Sequence, residues 1–346
     1  MFFLIFVCLV SCKNSTDPPD EFSMRQILDL NQYENQYELV FVWEQEIFTI
    51  KSNGSDLKQL TKNDFYDHTP FWTMSGEEII FTTSRYSDNI SLYKMNSDGT
   101  NEIHIGAKEY WCDTPKISPS GQSLVYIEGR RDPFVEILVR INLDGSDRME
   151  IFEGSNIRRP DWSPDGQKLI FDDLYFIYQI NNDGSNLLKL TDSTYRSYDA
   201  DWSPGGERIA FVYISDDDDR EIYIMDIDGQ NIQNLTNNPI GMDHTPVFSP
   251  DGSKILFISN RDGDSDAYIM NVDGGEVVNL TNETLHFSYY PTWSPDGTRI
   301  AYAADVNEDG NNETVYIMDI ATGNYQKLTS GLSSPQWNPI KIVSEY

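Results

Sequence analysis

Residues Pro160 to Gly166 read Pro-Asp-Trp-Ser-Pro-Asp-Gly and run into Lys168-Leu-Ile-Phe171; Pro291 to Gly297 read Pro-Thr-Trp-Ser-Pro-Asp-Gly and run into Arg299-Ile-Ala-Tyr302. The phrase returns as Pro246-Val-Phe-Ser-Pro-Asp-Gly252, Ala200-Asp-Trp-Ser-Pro-Gly-Gly206 and Pro115-Lys-Ile-Ser-Pro-Ser-Gly121. It degenerates at Pro70-Phe-Trp-Thr-Met-Ser-Gly76 and ends in a partial copy, Pro335-Gln-Trp-Asn-Pro339. Pro presets φ and Gly accepts positive φ, so Ser-Pro-Asp-Gly is a tight turn between two strands, with its Asp a turn former. Self-similarity at a fixed period decides the fold before any local propensity does.

Each copy is followed by a second alternating run that ends in a turn pair: Asn53-Gly54, Asp98-Gly99, Asp144-Gly145, Asp183-Gly184, Asp228-Gly229, Asp273-Gly274 and Thr322-Gly323. Asn-Gly or Asp-Gly between alternating apolar runs predicts hairpins with type I′ turns. A short closing run such as Leu187-Leu-Lys-Leu-Thr191 completes each unit. A unit of roughly 45 residues therefore holds four short strands, the pattern of propeller blades that bury their faces on one another around a ring. The expectation is an all-β, seven-bladed β-propeller of four-stranded antiparallel blades. The first set, from Glu38 to Thr61, lacks an inner strand, and the last copy is an inner strand without the rest of a blade, so the strand through Gln336 and Trp337 is expected to close the ring. Ile340 to Val343 stay outside this scheme. One Trp, Phe or Ile per phrase (Trp72, Ile117, Trp162, Trp202, Phe248, Trp293, Trp337) is expected to pack between blades.

The chain carries 56 acidic against 25 basic residues, a net charge of -31. Such a balance excludes a broad phosphate-neutralising surface and with it nucleic-acid binding. Met1 to Val10 is an apolar run half the length of a spanning helix, followed by Ser11 and Cys12. Leu9-Val10-Ser11-Cys12 resembles a bacterial lipobox, in which Cys12 becomes the acylated N-terminus. Residues 1–11 are then a signal peptide, 12–36 a polar lipid-anchored tether and 37–346 the propeller. Membrane contact is expected through that lipid alone. Cys112 is left as the single thiol of the mature chain, a small packed residue.

Two positions before each inner-strand Pro or Ala stand His68, Asp113, Arg158, Tyr198, His244, Tyr289 and Ser333, which differ from blade to blade. Varied polar residues at one mouth of a rigid ring are where a propeller carries recognition, so His68, Asp113, Arg158, Tyr198, His244 and Tyr289 are the candidate partner-binding residues. Asp305, Asn307 and Asp309, with Gly310, match the first half of a calcium loop, but position 12 is Tyr316. A hairpin without metal is the reading there, calcium its alternative. Asp216 to Asp219, and Asp262, Asp264 and Asp266, are expected to be solvated hairpin tips.

No catalytic motif occurs: no Gly-x-Ser-x-Gly elbow, phosphate-binding loop, zincin helix or Cys-His pairing. The repeats resemble those of TolB-type propellers, a WD40-like repeat family, over residues 37 to 339. The resemblance implies a periplasmic or envelope protein that binds a protein or peptide at the channel mouth; together with the lipobox at Cys12, the expectation is a non-catalytic lipoprotein anchored in the outer membrane, facing the periplasm or cell surface, monomeric and without a cofactor. Related propellers precede the catalytic domain of prolyl oligopeptidase-type peptidases; a chain that ends with its ring is expected to lack that domain. The alternative is a propeller enzyme, a polysaccharide lyase or glycosidase with a channel site drawn from Asp67, His68, Asp243 and His244.

Overall fold

The computed structural model describes residues 37–86, 89–131, 134–192, 196–238, 240–281, 287–305, 313–330 and 333–340. They form seven four-stranded antiparallel sheets and, among the described residues, no helix. Blades 2 to 7 follow the chain, their inner strands being Asp67–Trp72, Trp111–Ile117, Ile157–Trp162, Arg196–Trp202, Asp243–Phe248 and Phe287–Trp293. Blade 1 takes its inner strand, Ser333–Trp337, from the C-terminal end, pairing Leu39 with Trp337 and Val40 with Gln336. The ring is thereby closed by the strand the repeat count predicted, and no inner edge is left unpaired. Beyond it, Asn338 Nδ2 donates to the Gly76 carbonyl of blade 2 at 3.3 Å.

The core is divided among seven buried clusters, each between two neighbouring blades. Phe257, Phe248 and Met270 of blade 6, for instance, pack on Val212, Ile222 and Leu235 of blade 5. Leu39, Phe41 and Trp337 of blade 1 pack on Ala301 and Ile317 of blade 7. The inner-strand Trp does more than pack. The indole N–H groups of Trp162, Trp293 and Trp337 donate to the carbonyls of Lys116, Val247 and Thr292 on the preceding blade, at 3.1, 3.2 and 3.2 Å.

A β-bulge interrupts every inner strand. His68 pairs with Thr82 and Phe71 with Ile80, so Thr69 and Pro70 together face the single residue Phe81. The same two-against-one count puts Phe41, Tyr126, Phe171, Phe211, Phe257 and Tyr302 opposite the bulges of the other blades. All seven aromatics are fully buried. The first bulged residue is left-handed without being Gly: Thr69, Thr114, Arg159, Asp199 and Thr245 have φ between 43° and 57°. That conformation costs on the order of 1 kcal/mol or more per residue, and the buried aromatic opposite holds it in place.

The type I′ expectation fails at the Asp-Gly turns. Gly99 has φ of 84°, but Asp98 is not left-handed. The Gly99 N–H donates to the Asn96 carbonyl and the Asn96 N–H to the Thr100 carbonyl, at 2.9 and 2.8 Å. This is a type I turn with a Gly bulge. The Asp stays in the ordinary region because its carboxylate accepts from the Thr100 N–H and hydroxyl two residues on, at 3.0 and 2.6 Å. The left-handed pairs lie elsewhere, at Glu44-Gln45 and Leu174-Tyr175.

Candidate functional site

Strand direction defines two faces. The Ser-Pro-Asp-Gly and Asp-Gly turns lie at one end of the channel, the turn face. The hairpins between second and third strands lie at the other, with the connections between blades, and this is the hairpin face. The repeated Asp is a turn former, as expected: Asp165, Asp251 and Asp296 each accept the hydroxyl of the Ser two residues before at 2.6 Å.

The residues two before Pro open the inner strands on the hairpin face and do not converge on one point. His68, half-buried, lies parallel to the ring of Tyr66 at 6.1 Å. Asp113 accepts the N–H of Thr114 at 2.7 Å. Arg158 reaches Glu136 of blade 3 at 3.2 Å, while the other oxygen of Glu136 takes the Ile157 N–H at 2.6 Å. Tyr198 and His244, on neighbouring blades, do meet: hydroxyl and Nδ1 are 3.1 Å apart. Burial, then the charge of Arg220, lowers the pKa of His244, so its ring stays neutral near pH 7. Tyr289 pairs with Ala303 in the ladder of blade 7, and its side chain lies outside the described set. Cys12, the side chain of Asp305, and all of Asn307 and Asp309 lie outside the described residues.

Of the two carboxylates suspected for a lyase, Asp243 is already engaged and Asp67 only in part. Asp243 is bound by Arg261 through both oxygens at 3.1 and 3.0 Å, and Arg261 lies over the Phe257 and Tyr268 rings at 5.5 and 5.0 Å. In blade 2 Arg85 lies over the Phe81 and Tyr93 rings but binds Glu102 and stays 3.7 Å from Asp67, which accepts from Asn63 Nδ2 at 3.0 Å and keeps its other oxygen buried without a partner. Among the described residues no three His, Cys, Asp or Glu side chains stand together as metal ligands. Asp266, expected at a solvated tip, is buried and accepts the Thr281 hydroxyl at 2.6 Å, tying the third strand of blade 6 to its closing strand.

What does converge is the channel wall one and three residues further along each inner strand. A cavity of about 600 Å³ is lined by the bulged residues, among them Thr114, Arg159, Asp199 and Thr245, and by Lys116, Asp161 and Asp201 beyond them. Asp161 and Asp201 occupy the same position on blades 4 and 5. Each accepts a main-chain N–H from the next blade, Asp161 from Trp202 and Asp201 from Phe248, the latter at 2.9 Å. Lys116 approaches Asp161 at 3.9 Å and Arg159 is paired with Asp199. Burial and then repulsion from Asp161 push Asp201 up to about 7. Burial raises Asp199 to about 6 against the pull of Arg159; burial and then Asp199 raise Asp172 to about 8. Blades 4 and 5 thus present carboxyl groups that change charge near neutral pH.

A sevenfold ring of four-stranded blades around a central channel, with varied side chains at its mouth, is the architecture of a β-propeller. The TolB β-propeller domain matches residues 39–202 and 191–343, and the chain belongs to that family. A TolB homologue of Chlorobium luteolum is 30% identical over 183 residues, 49% of this chain and 40% of that one. The structure of a putative TolB from Agrobacterium tumefaciens superposes with a TM-score of 0.55 at 25% identity, covering 68% of this chain and 87% of that one. An oligogalacturonate lyase of Vibrio parahaemolyticus shares the fold, with a TM-score of 0.63 at 16% identity over 80% of this chain and 83% of the lyase. The matched stretches span between 12% and 52% of the curated relatives' lengths.

Proposed function

We propose that this chain is a non-catalytic recognition module of the cell envelope that receives a protein or peptide on the hairpin face of its propeller. One observation carries the reading. Leu174 and Tyr175 form a left-handed hairpin pair, φ 51° and 69°, and are about half exposed on that face. The pair closes a two-residue hairpin, where a local rule would place Asn-Gly; two bulky residues presented to solvent there depart from that rule, and such departures concentrate at sites of function. Tyr66, Phe134 and Ile240 are also large, apolar and exposed on this face. Family membership and the TolB relatives support a protein partner. The engagement of both Asp243 oxygens by Arg261 weighs against the lyase alternative.

The propeller is held at the membrane by the lipid on Cys12 and works as a single copy in the envelope, with residues 12–36 as its tether. Metabolic labelling with an alkyne fatty acid is expected to mark the parent and not Cys12→Ala. Affinity capture from the host envelope compares the parent with a variant carrying Tyr66→Ala, Leu174→Ala and Tyr175→Ala. A protein retained by the parent and lost from the variant is the expected result. Cleavage of polygalacturonate that His68→Ala and His244→Ala abolish would overturn the reading in favour of the enzyme.

A further inference from the structure

The hairpin face carries a second hollow, away from the channel, at the rim of blade 1. A cavity of about 670 Å³ is lined there by Trp43, Glu44, Glu46 and Phe48, and by Lys62 and Asp64 of the link to blade 2. Its apolar part follows from the register. Phe41 pairs with Phe48 and their rings stack at 5.9 Å; Trp43, two residues on and so on the same side of the sheet, lies against Phe48 at 5.1 Å. These rings continue the face that packs on blade 7, but Trp43 and Phe48 remain only partly buried.

The same ring pair recurs in other blades, where the chain itself supplies a cation to cover it. Phe81 pairs with Tyr93 in blade 2 and Phe257 with Tyr268 in blade 6. Four residues after each Phe an arginine, Arg85 or Arg261, lies over both rings at 5.0 to 5.7 Å and binds a carboxylate. Blade 4 sets Lys189 over Phe176 and Tyr178. Blade 5 fills the place with a third ring, Tyr213 against Tyr223 at 4.9 Å, but has Ile214 where blade 1 has Glu44. In blade 1 the residue four after Phe41 is Gln45, and among the described residues no cation lies over Trp43 or Phe48. The anions are nevertheless in place. Glu44 and Asp64 are exposed at the rim; Glu46, 9% exposed, accepts the Asn63 N–H on one oxygen at 2.8 Å and has no partner for the other. Lys62 is the one cation among the described lining residues, and it forms no ion pair with them.

Aromatic faces attract cations, and a guanidinium both stacks on a ring and pairs with carboxylates. We propose that this pocket takes an arginine side chain of the partner polypeptide, its guanidinium on Trp43 and Phe48, with Glu44 and Asp64 beside it and the buried charge of Glu46 nearby. The partner's arginine then stands where Arg85 and Arg261 stand in their own blades. This rests on the reading of the chain as a protein-binding propeller and adds the chemistry of one contact. The net charge of -31 favours the approach of a basic segment.

The test uses the full chain labelled with 5-fluorotryptophan, in which Trp43→Phe identifies the Trp43 signal among those of seven tryptophans. N-acetyl-arginine methylamide, the probe for a chain-borne arginine, is expected to shift that signal saturably. The citrulline analogue, of the same shape without the charge, is expected to leave it in place at equal ionic strength. The rim double variant Glu44→Gln, Asp64→Asn should bind the arginine probe about fivefold more weakly. Lys62→Ala, which removes the resident cation, should bind it more tightly, a direction misfolding cannot produce. In the host envelope a benzophenone amino acid at Gln59, which also lines the pocket, is expected to give an adduct with a partner protein that the double variant loses. No shift at Trp43, an equal shift with citrulline, or undiminished binding by the double variant overturns the inference. Adducts from Tyr175 but none from Gln59 overturn it as well and leave recognition on the hairpin face standing. No adduct from either position overturns both.

Discussion

Replacing Asp201 with Asn isolates the electrostatic load on the channel. The carboxyl sits near 7 in the folded chain against an ordinary 3.8, because burial and the neighbouring Asp161 both disfavour its charge. A folded pKa above the unfolded one means that the native state holds more protons between those values. Stability therefore falls as pH rises from about 4 through 7, and the loss is complete near pH 8. At about 1.4 kcal/mol per pKa unit the ceiling is about 4 kcal/mol; sharing of the proton with Asp161 and partial access to solvent reduce it to about 2 kcal/mol. Asn cannot ionise and still accepts the Phe248 N–H. Urea unfolding of parent and Asp201→Asn at pH 5 and pH 8 should give near-equal stability at pH 5 and a variant about 2 kcal/mol more stable at pH 8. Asp172 and Asp199 remain in both proteins, so the slope of the variant shrinks without vanishing. A variant that gains nothing at pH 8, or gains equally at both pH values, would refute the reasoning.

The packing sets three further outcomes. Phe257→Ala removes the fully buried ring that faces the Thr245-Pro246 bulge and stacks on Tyr268 at 5.6 Å, and should cost about 3 to 5 kcal/mol in chemical denaturation. Trp337→Phe deletes the indole bond to the Thr292 carbonyl across the blade 1–blade 7 closure; thermal unfolding should report a loss of about 1 kcal/mol with the fold retained. Burial pushes the Cys112 thiol up to about 12, so peptide mapping after maleimide treatment should find it unlabelled in the native chain and labelled in denaturant.

The repeats carried the fold because a propeller writes its architecture in sequence seven times, and the partial copy at Pro335 to Pro339 was enough to place ring closure. The features that escaped sequence reading depend on pairing between strands. A bulge is a two-against-one count that exists only once Thr69 and Pro70 are set opposite Phe81, and no property of Thr-Pro alone announces it. A signal was present nonetheless: the aromatics at Phe41, Phe81, Tyr126, Phe171, Phe211, Phe257 and Tyr302 keep one position in every second strand, more strictly than the inner-strand Trp does. The site was displaced for the same reason. Residues two before the Pro open the strands and find local partners, while the bulged residue and the one after the Pro line the cavity. Asp161 and Asp201 lay unnoticed between the Pro or Ala and the Trp of their phrases because only the ring brings them together.

Recognition at the hairpin face is tested most directly by site-specific photo-cross-linking in the native envelope. A benzophenone amino acid is placed at Tyr66, His68, Arg158 or Tyr175 on that face and, for comparison, at Asp165 or Asp251 in the turns of the other. A discrete adduct with a partner protein is predicted from the first four positions and none from the last two. Adducts confined to the turn face, or equal from both faces, would contradict recognition there.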